Sequence, residues 1–180
     1  MNIMDEEKAQ NNTWEFIKVV LISLAIVLPV RTYIAQPFIV SGESMEPNFH
    51  DGEYLIVDEL SYQFREPIRG EVIIFRYPLN PGEFFIKRII GLPGETVEIQ
   101  NSKVTIKTAS GETALAESYL PSSTKTLPNA IIALQENEYF VMGDNRPKSS
   151  DSRFWGTLPK NKIMGRALLR LWPVARAEIL

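Results

Sequence analysis

"FFIKRIIG", residues 84–91, is rich in aromatic and β-branched side chains and lacks the three-to-four spacing of an amphipathic helix, so it reads as a strand. On a strand, successive side chains face opposite ways. Lys87 therefore shares one side with Phe85 and Ile89, while Arg88 points the other way with Ile86 and Ile90. Working outward, further short runs of this kind are bounded by Gly, Pro and Asn: 54–60, 71–77, 96–100, 103–107, 138–143 and 162–172. Asn101–Ser102 is placed to turn a hairpin between two of them. Residues 108–137, rich in Ser, Thr, Ala and Pro, read as a long loop or small excursion, and no internal repeat is visible. The segment 35–180 is expected to be one mostly β domain.

Composition narrows the chemistry. A chain of 180 residues with 44% hydrophobic content can bury a real core. Its net charge of −3 and dispersed Lys and Arg give no electrostatic footprint for nucleic acid. With no cysteine and a single histidine, His50, thiol nucleophiles and Cys-ligated metals are excluded, and His-based triads are disfavoured. His50 reads as a surface or turn residue.

The N-terminus is patterned differently. Residues 1–13 are a polar tail, and 19–30, "VVLISLAIVLPV", carry no charge. That run alone is short for a bilayer and would also suit a signal-peptide core or a buried helix. Extended to 14–34 it makes a helix of roughly 31 Å at about 1.5 Å per residue. Lys18 and Arg31 then lie near its ends, with Trp14 and Tyr33 at the two interfaces. No clean small-x-small cleavage site follows in "RTYIAQPF", so an uncleaved single-span anchor is expected, with the main domain outward.

Without cysteine and with one histidine, a hydrolase here needs another base, and Lys87 is available in an apolar setting. Burial disfavours an ammonium, and a lowering of roughly 2–4 units from about 10.4 would leave a neutral amine near neutral pH. The plainer reading is a strand lysine that snorkels to solvent. In "SGESMEP" (41–47), Ser44 stands in a small-residue turn, with Gly42 permitting close backbone approach and Pro47 fixing the chain after it. Such a turn can aim the Ser44 N–H at a developing oxyanion, and it can equally be a capped surface turn. Glu43 and Glu46 should point away, since a nearby carboxylate would keep Lys87 protonated. Met45 can plug the core. A third cluster, "GDNRPKSSDSRFWG" (143–156), offers an Asp151–Arg153 ion pair and a Ser149 hydroxyl that can orient the amine; its alternative is a solvated loop.

These clusters, in this order behind an N-terminal apolar segment, resemble the bacterial type I signal peptidases over about residues 14–173. "SGESMEP" is similar to the box around the family's serine, "RGEVIIF" (69–75) to a following strand, "KRIIGLPGE" (87–95) to the lysine box and "GDNRPKSSDSR" (143–153) to the last box. The resemblance implies an antiparallel-sheet catalytic domain behind one transmembrane helix. It makes Ser44 the nucleophile, Lys87 the general base and the Ser44 N–H an oxyanion donor. Gly42, Met45, Pro47, Ser149, Asp144, Asp151 and Arg153 become supporting residues. It implies secretory preproteins cut after an A-x-A-like site, a bacterial cytoplasmic membrane location facing outward, and no metal or organic cofactor.

Two positions depart from the family's pattern. Asn48 stands where Thr is usual, and Gly42 where some members carry a second oxyanion-hole serine. Two other readings are a relative of the self-cleaving SOS repressors, opposed by the apolar segment and acidic balance, and a catalytically silent tethered domain that binds exported peptides. The pairing of Ser44 with Lys87 argues against the second. Ser44 lies ten residues past position 34, at most about 33 Å of extended chain, so it must work near the membrane surface, where a signal peptide's cleavage site emerges.

Overall fold

The computed structural model describes residues 3–29 and 36–180. Helix α1 spans Ile3–Pro29, so positions 3–13, read from sequence as a tail, are helical and continuous with the apolar run. The predicted anchor over 14–34 is covered only to Pro29, and positions 30–34 lie outside the described residues. Among the described residues, no helix is long and apolar enough to cross a membrane. The charge-free part of α1 begins only at Val19, and a bilayer takes about 20 apolar residues.

From residue 36 the chain is a β domain of two antiparallel sheets. The larger has the order β1 (Gln36–Ile39), β2 (Tyr54–Asp58), β11 (Ile163–Trp172), β3 (Val72–Arg76), β4 (Phe84–Gly91), β9 (Glu138–Met142), β10 (Leu158–Pro159), with β12 (Glu178–Ile179) added to β11. The smaller has the order β7 (Gly111–Ala114), β6 (Lys103–Thr108), β5 (Thr96–Gln100), β8 (Ala130–Ala133). Residues 108–137 thus supply two strands of a sheet. Both are four residues long with little buried surface, which is why they carry no readable pattern. A short helix, α2 (Ser152–Trp155), lies within the 143–156 cluster.

The core follows the alternation read from sequence. Ile86 packs with Met45, Phe49, Leu55 and Val57 beneath one end of the large sheet. Ile90 joins Phe140 and Met142 against Val97, Ile99, Val104 and Ile106 of the small sheet. Ile89 and Phe85 face the other way with Ile73, Phe75, Tyr139 and Val141. Each such side chain contributes about 1.5–3 kcal/mol on full burial. The β5–β6 hairpin turns at Asn101–Ser102 with φ of 51° and 64°, the left-handed pair a two-residue type I′ turn requires. Where the two sheets meet, Gly91 leaves no room for a side chain: a Cβ there would overlap Val97 and Leu134.

Candidate active site

Three segments converge. The turn after β1 brings Ser44 to the side of β4, where Lys87 Nζ lies 2.8 Å from Ser44 Oγ and 2.8 Å from the Ile86 carbonyl oxygen it donates to. Met45, fully buried, drives this turn into the core and so fixes Ser44 above it. The Glu46–Pro47 peptide is cis. Lys87 is only 3% exposed, and burial pushes its ammonium from 10.5 down to about 8, against the opposing pull of the Asp151 and Asp144 carboxylates. The ring of Phe85 faces Nζ at 5.1 Å. A neutral amine in this place presents its lone pair to the Ser44 hydroxyl, which can then donate to it.

The third segment clasps the Ser44 turn from behind. Asn145 donates its N–H to the Ser44 carbonyl at 3.0 Å and its side-chain amide to the Glu43 carbonyl at 3.0 Å. Gly143 lies so close that a Cβ would overlap the Ser44 carbonyl oxygen and the Ser149 side chain. Its own N–H donates to Asp151 Oδ2 at 3.0 Å. Asp151 caps α2 and receives Arg153 through Nε and Nη2, both at 2.8 Å. Asp144 receives Arg88 through Nε at 2.9 Å and Nη2 at 2.6 Å. Both buried carboxylates near the lysine thus carry an arginine each. That pairing weakens the field that would otherwise hold Lys87 protonated.

The residues singled out in the sequence fall into distinct places. Ser44, Lys87, Asp144, Asp151 and Arg153 come together, with Met45 beneath. Glu43 turns out to Lys148, and Glu46 to His50 at 3.5 Å, both at the surface. Ser149 is buried beside Gly143, but its Oγ has no hydrogen-bond partner among the described residues, so no bond from it to Lys87 is formed here. Gly42, at φ +86°, gives its N–H to Asp51 Oδ1 at 2.7 Å and is thereby committed elsewhere. No hydrogen bond involves the Ser44 N–H among the described residues.

Sequence reasoning did not assign Arg88, Asn48 and Arg146. Asn48 donates its amide to Asp144 Oδ2 at 2.8 Å and to the Tyr119 carbonyl at 2.9 Å, while its own carbonyl accepts from Arg170 Nη2 at 2.7 Å. Arg146, fully buried, donates Nε to the Gly143 carbonyl at 3.1 Å. The signal for Arg88 was its opposite facing to Lys87, and for Arg146 its place inside the last motif.

An open cleft of about 400 Å³ runs past the pair, lined by Phe38, Gly42, Ser44, Phe84, Ile86 and Lys87 among others. One side is β1, an edge strand; the other is the start of β4, which β9 joins only from Arg88 onward. Both offer unpaired backbone groups to an extended chain. Among the described residues, no group of histidine and acidic side chains is arranged to hold a metal.

Known proteins are similar to this chain over most of its length. The family profile described as "Signal peptidase, peptidase S26" matches residues 13–172. The chain is 39% identical to a signal peptidase I of Leptolyngbya laminosa, covering 95% of this chain and 85% of that one. It is 34% identical to a probable signal peptidase I-2 of Synechocystis sp., covering 97% and 81%, and 34% identical to a signal peptidase I of Bacillus amyloliquefaciens, covering 93% and 89%. A solved signal peptidase I of Enterococcus faecalis V583 is 31% identical, with a TM-score of 0.49 over 57% of this chain and 97% of that one.

Proposed function

The chain belongs to the signal peptidases of peptidase family S26, a serine peptidase family, and on that premise we propose that it removes signal peptides from exported preproteins by a Ser44–Lys87 dyad. The observation that carries the mechanism is the 2.8 Å approach of a buried lysine Nζ to Ser44 Oγ.

Neutral Lys87 takes the Ser44 proton as Oγ attacks the scissile carbonyl, and the Ser44 N–H donates to the oxyanion. Collapse breaks the C–N bond, and Nζ returns its proton to the leaving amine. Lys87 then takes a proton from water, whose oxygen attacks the acyl ester. Ser44 Oγ leaves with that proton, and the signal peptide departs with a new carboxylate. A second oxyanion donor has to come from a group other than Gly42, whose N–H is occupied by Asp51. The substrate lies extended between β1 and the start of β4, its small residues after an A-x-A pattern facing the shallow cleft.

A membrane setting is part of the same proposal. The apolar side chains of α1, including Phe16, Leu21, Ile22 and Leu24, stand exposed and need cover that the domain does not supply. At the end of β1 that leads into the Ser44 turn, Ile39, Tyr54 and Trp172 are register partners across β1, β2 and β11. All three are exposed, at 52%, 45% and 56%. This apolar and aromatic row suits a headgroup boundary. The bacterial cytoplasmic membrane, with the β domain outward, satisfies both features.

The test compares wild type, Ser44→Ala and Lys87→Ala in liposomes on a preprotein with an A-x-A site. Site-specific cleavage lost in both variants is expected. A folded wild type that binds the preprotein and leaves it intact would favour a peptide-binding module instead.

A further inference from the structure

Residues 117–127, between β7 and β8, lie outside every sequence motif, yet four members of the polar network around Ser44 and Lys87 reach into them. Asn48 donates to the Tyr119 carbonyl at 2.9 Å, and the Arg88 guanidinium lies 4.2 Å from the Tyr119 ring centre. Arg146 donates to Glu117 and to Thr126 Oγ1, and Arg153 donates to the Leu127 carbonyl. The strap is thus attached to the serine turn, the lysine strand and the last motif together.

Its one ion pair to these groups is the decisive contact. The Arg146 side chain is 0% exposed, and its carboxylate partner is Glu117, itself 15% exposed. A buried guanidinium without a carboxylate is strongly disfavoured. The other end of Arg146, Nε, holds the Gly143 carbonyl at 3.1 Å. Gly143 in turn is pressed against the Ser44 carbonyl, and Asn145, two residues on, donates to that same oxygen at 3.0 Å. Glu117 is further fixed by the Tyr119 hydroxyl, which donates to Oε1 at 2.9 Å.

We propose that Glu117 is a positioning residue for the reaction: through Arg146 it holds the Gly143–Asn145 backbone against the Ser44 turn and so sets the distance from Ser44 Oγ to Lys87 Nζ. This rests on the reading of Ser44 and Lys87 as the reacting pair. Glu117 itself touches neither of them, and the cleft past Ser44 is lined by other residues. Its loss should therefore lower turnover and leave substrate affinity alone.

The experiment measures kcat and KM on a preprotein with the full chain in liposomes, for wild type, Glu117→Gln, Glu117→Asp, Thr126→Val and Glu112→Gln. Glu117→Gln is expected to lower kcat by about tenfold or more with KM within about twofold. Glu117→Asp, which keeps the charge, should recover most of that loss. Thr126→Val, nearly isosteric, should lower kcat by about threefold, again with KM unchanged. Glu112→Gln, an exposed partner of Lys107 on the same excursion, should behave as wild type. Should Glu117→Gln not fold, Thr126→Val decides: a kcat like wild type overturns the proposal. An unchanged kcat in folded Glu117→Gln overturns it too, as does a loss confined to KM. An inactive wild type would instead remove the peptidase reading on which the proposal stands.

Discussion

Arg88 and Asp144 are joined by two parallel hydrogen bonds, 2.9 Å and 2.6 Å long, one residue along the strand from Lys87. The Asp144 carboxylate pulls the lysine toward its charged form, and Arg88 offsets that pull. Wild-type kcat/KM should accordingly rise with pH through about 8, as Lys87 loses its proton. In Arg88→Gln the uncompensated carboxylate should move this ascending limb upward by about 1 pH unit and lower the rate at neutral pH. A pH–rate profile of the two enzymes checks this, and an unmoved limb would count against it.

Lys87 also carries a stability cost with a defined sign. Its folded pKa, about 8, lies below the unfolded 10.5, so between those values the unfolded chain binds more protons and stability rises with pH. Below about pH 8 the cost is present in full, on the order of 3 kcal/mol, and above 10.5 it is gone. Lys87→Met should therefore be more stable than wild type at pH 7, with the advantage shrinking as pH climbs through this window. Denaturant unfolding of both proteins at pH 7 and pH 10 reads the difference. An advantage independent of pH would show that the lysine is not buried as an amine.

Gly143 has no space for one more carbon. Gly143→Ala has to displace the Ser44 carbonyl or the Ser149 side chain, and overpacking of this kind costs about 1–3 kcal/mol. Misplacement of the serine should reduce kcat by about 100-fold, far more than the loss in stability alone would suggest. Turnover and thermal unfolding measured together separate the two effects; activity within about threefold of wild type would mean that the clasp is softer than its geometry indicates.

The exposed row Ile39, Tyr54 and Trp172 is expected to lie at lipid headgroups. With Trp14 and Trp155 replaced by Phe, Trp172 is the remaining tryptophan. Its emission in liposomes should be quenched by lipids brominated near the headgroup. Emission equal to that in unbrominated vesicles would place this end of the sheet in water.

Much of the large sheet was legible. The runs over 54–60, 71–77, 84–91, 138–143 and 162–172 correspond to β2, β3, β4, β9 and β11, because each has enough buried side chains to impose a pattern. β1, β7, β8, β10 and β12 were not, being two to four residues long and set by their neighbours' edges. Lys87 and Ser44 could be suggested from residue type and setting. The roles of Arg88, Asn48 and Arg146 could not, since their partners lie 56, 96 and 29 positions away in the chain. Such pairings are fixed by topology and leave no local trace. Ser149 shows the converse, a motif position whose hydroxyl makes no bond here.

Strand β11 lies between β2 and β3, although it is encoded long after both. The turn bearing Ser44 precedes β2, and Lys87 is on β4 beyond β3, so the ladder linking the two halves runs through residues 163–172. Arg170 of the same strand also holds the Asn48 carbonyl. A chain still emerging from the ribosome therefore owns both side chains long before it owns the pair. On this topology the Ser44–Lys87 pair is expected to assemble only after residues 163–172 have joined the sheet between β2 and β3.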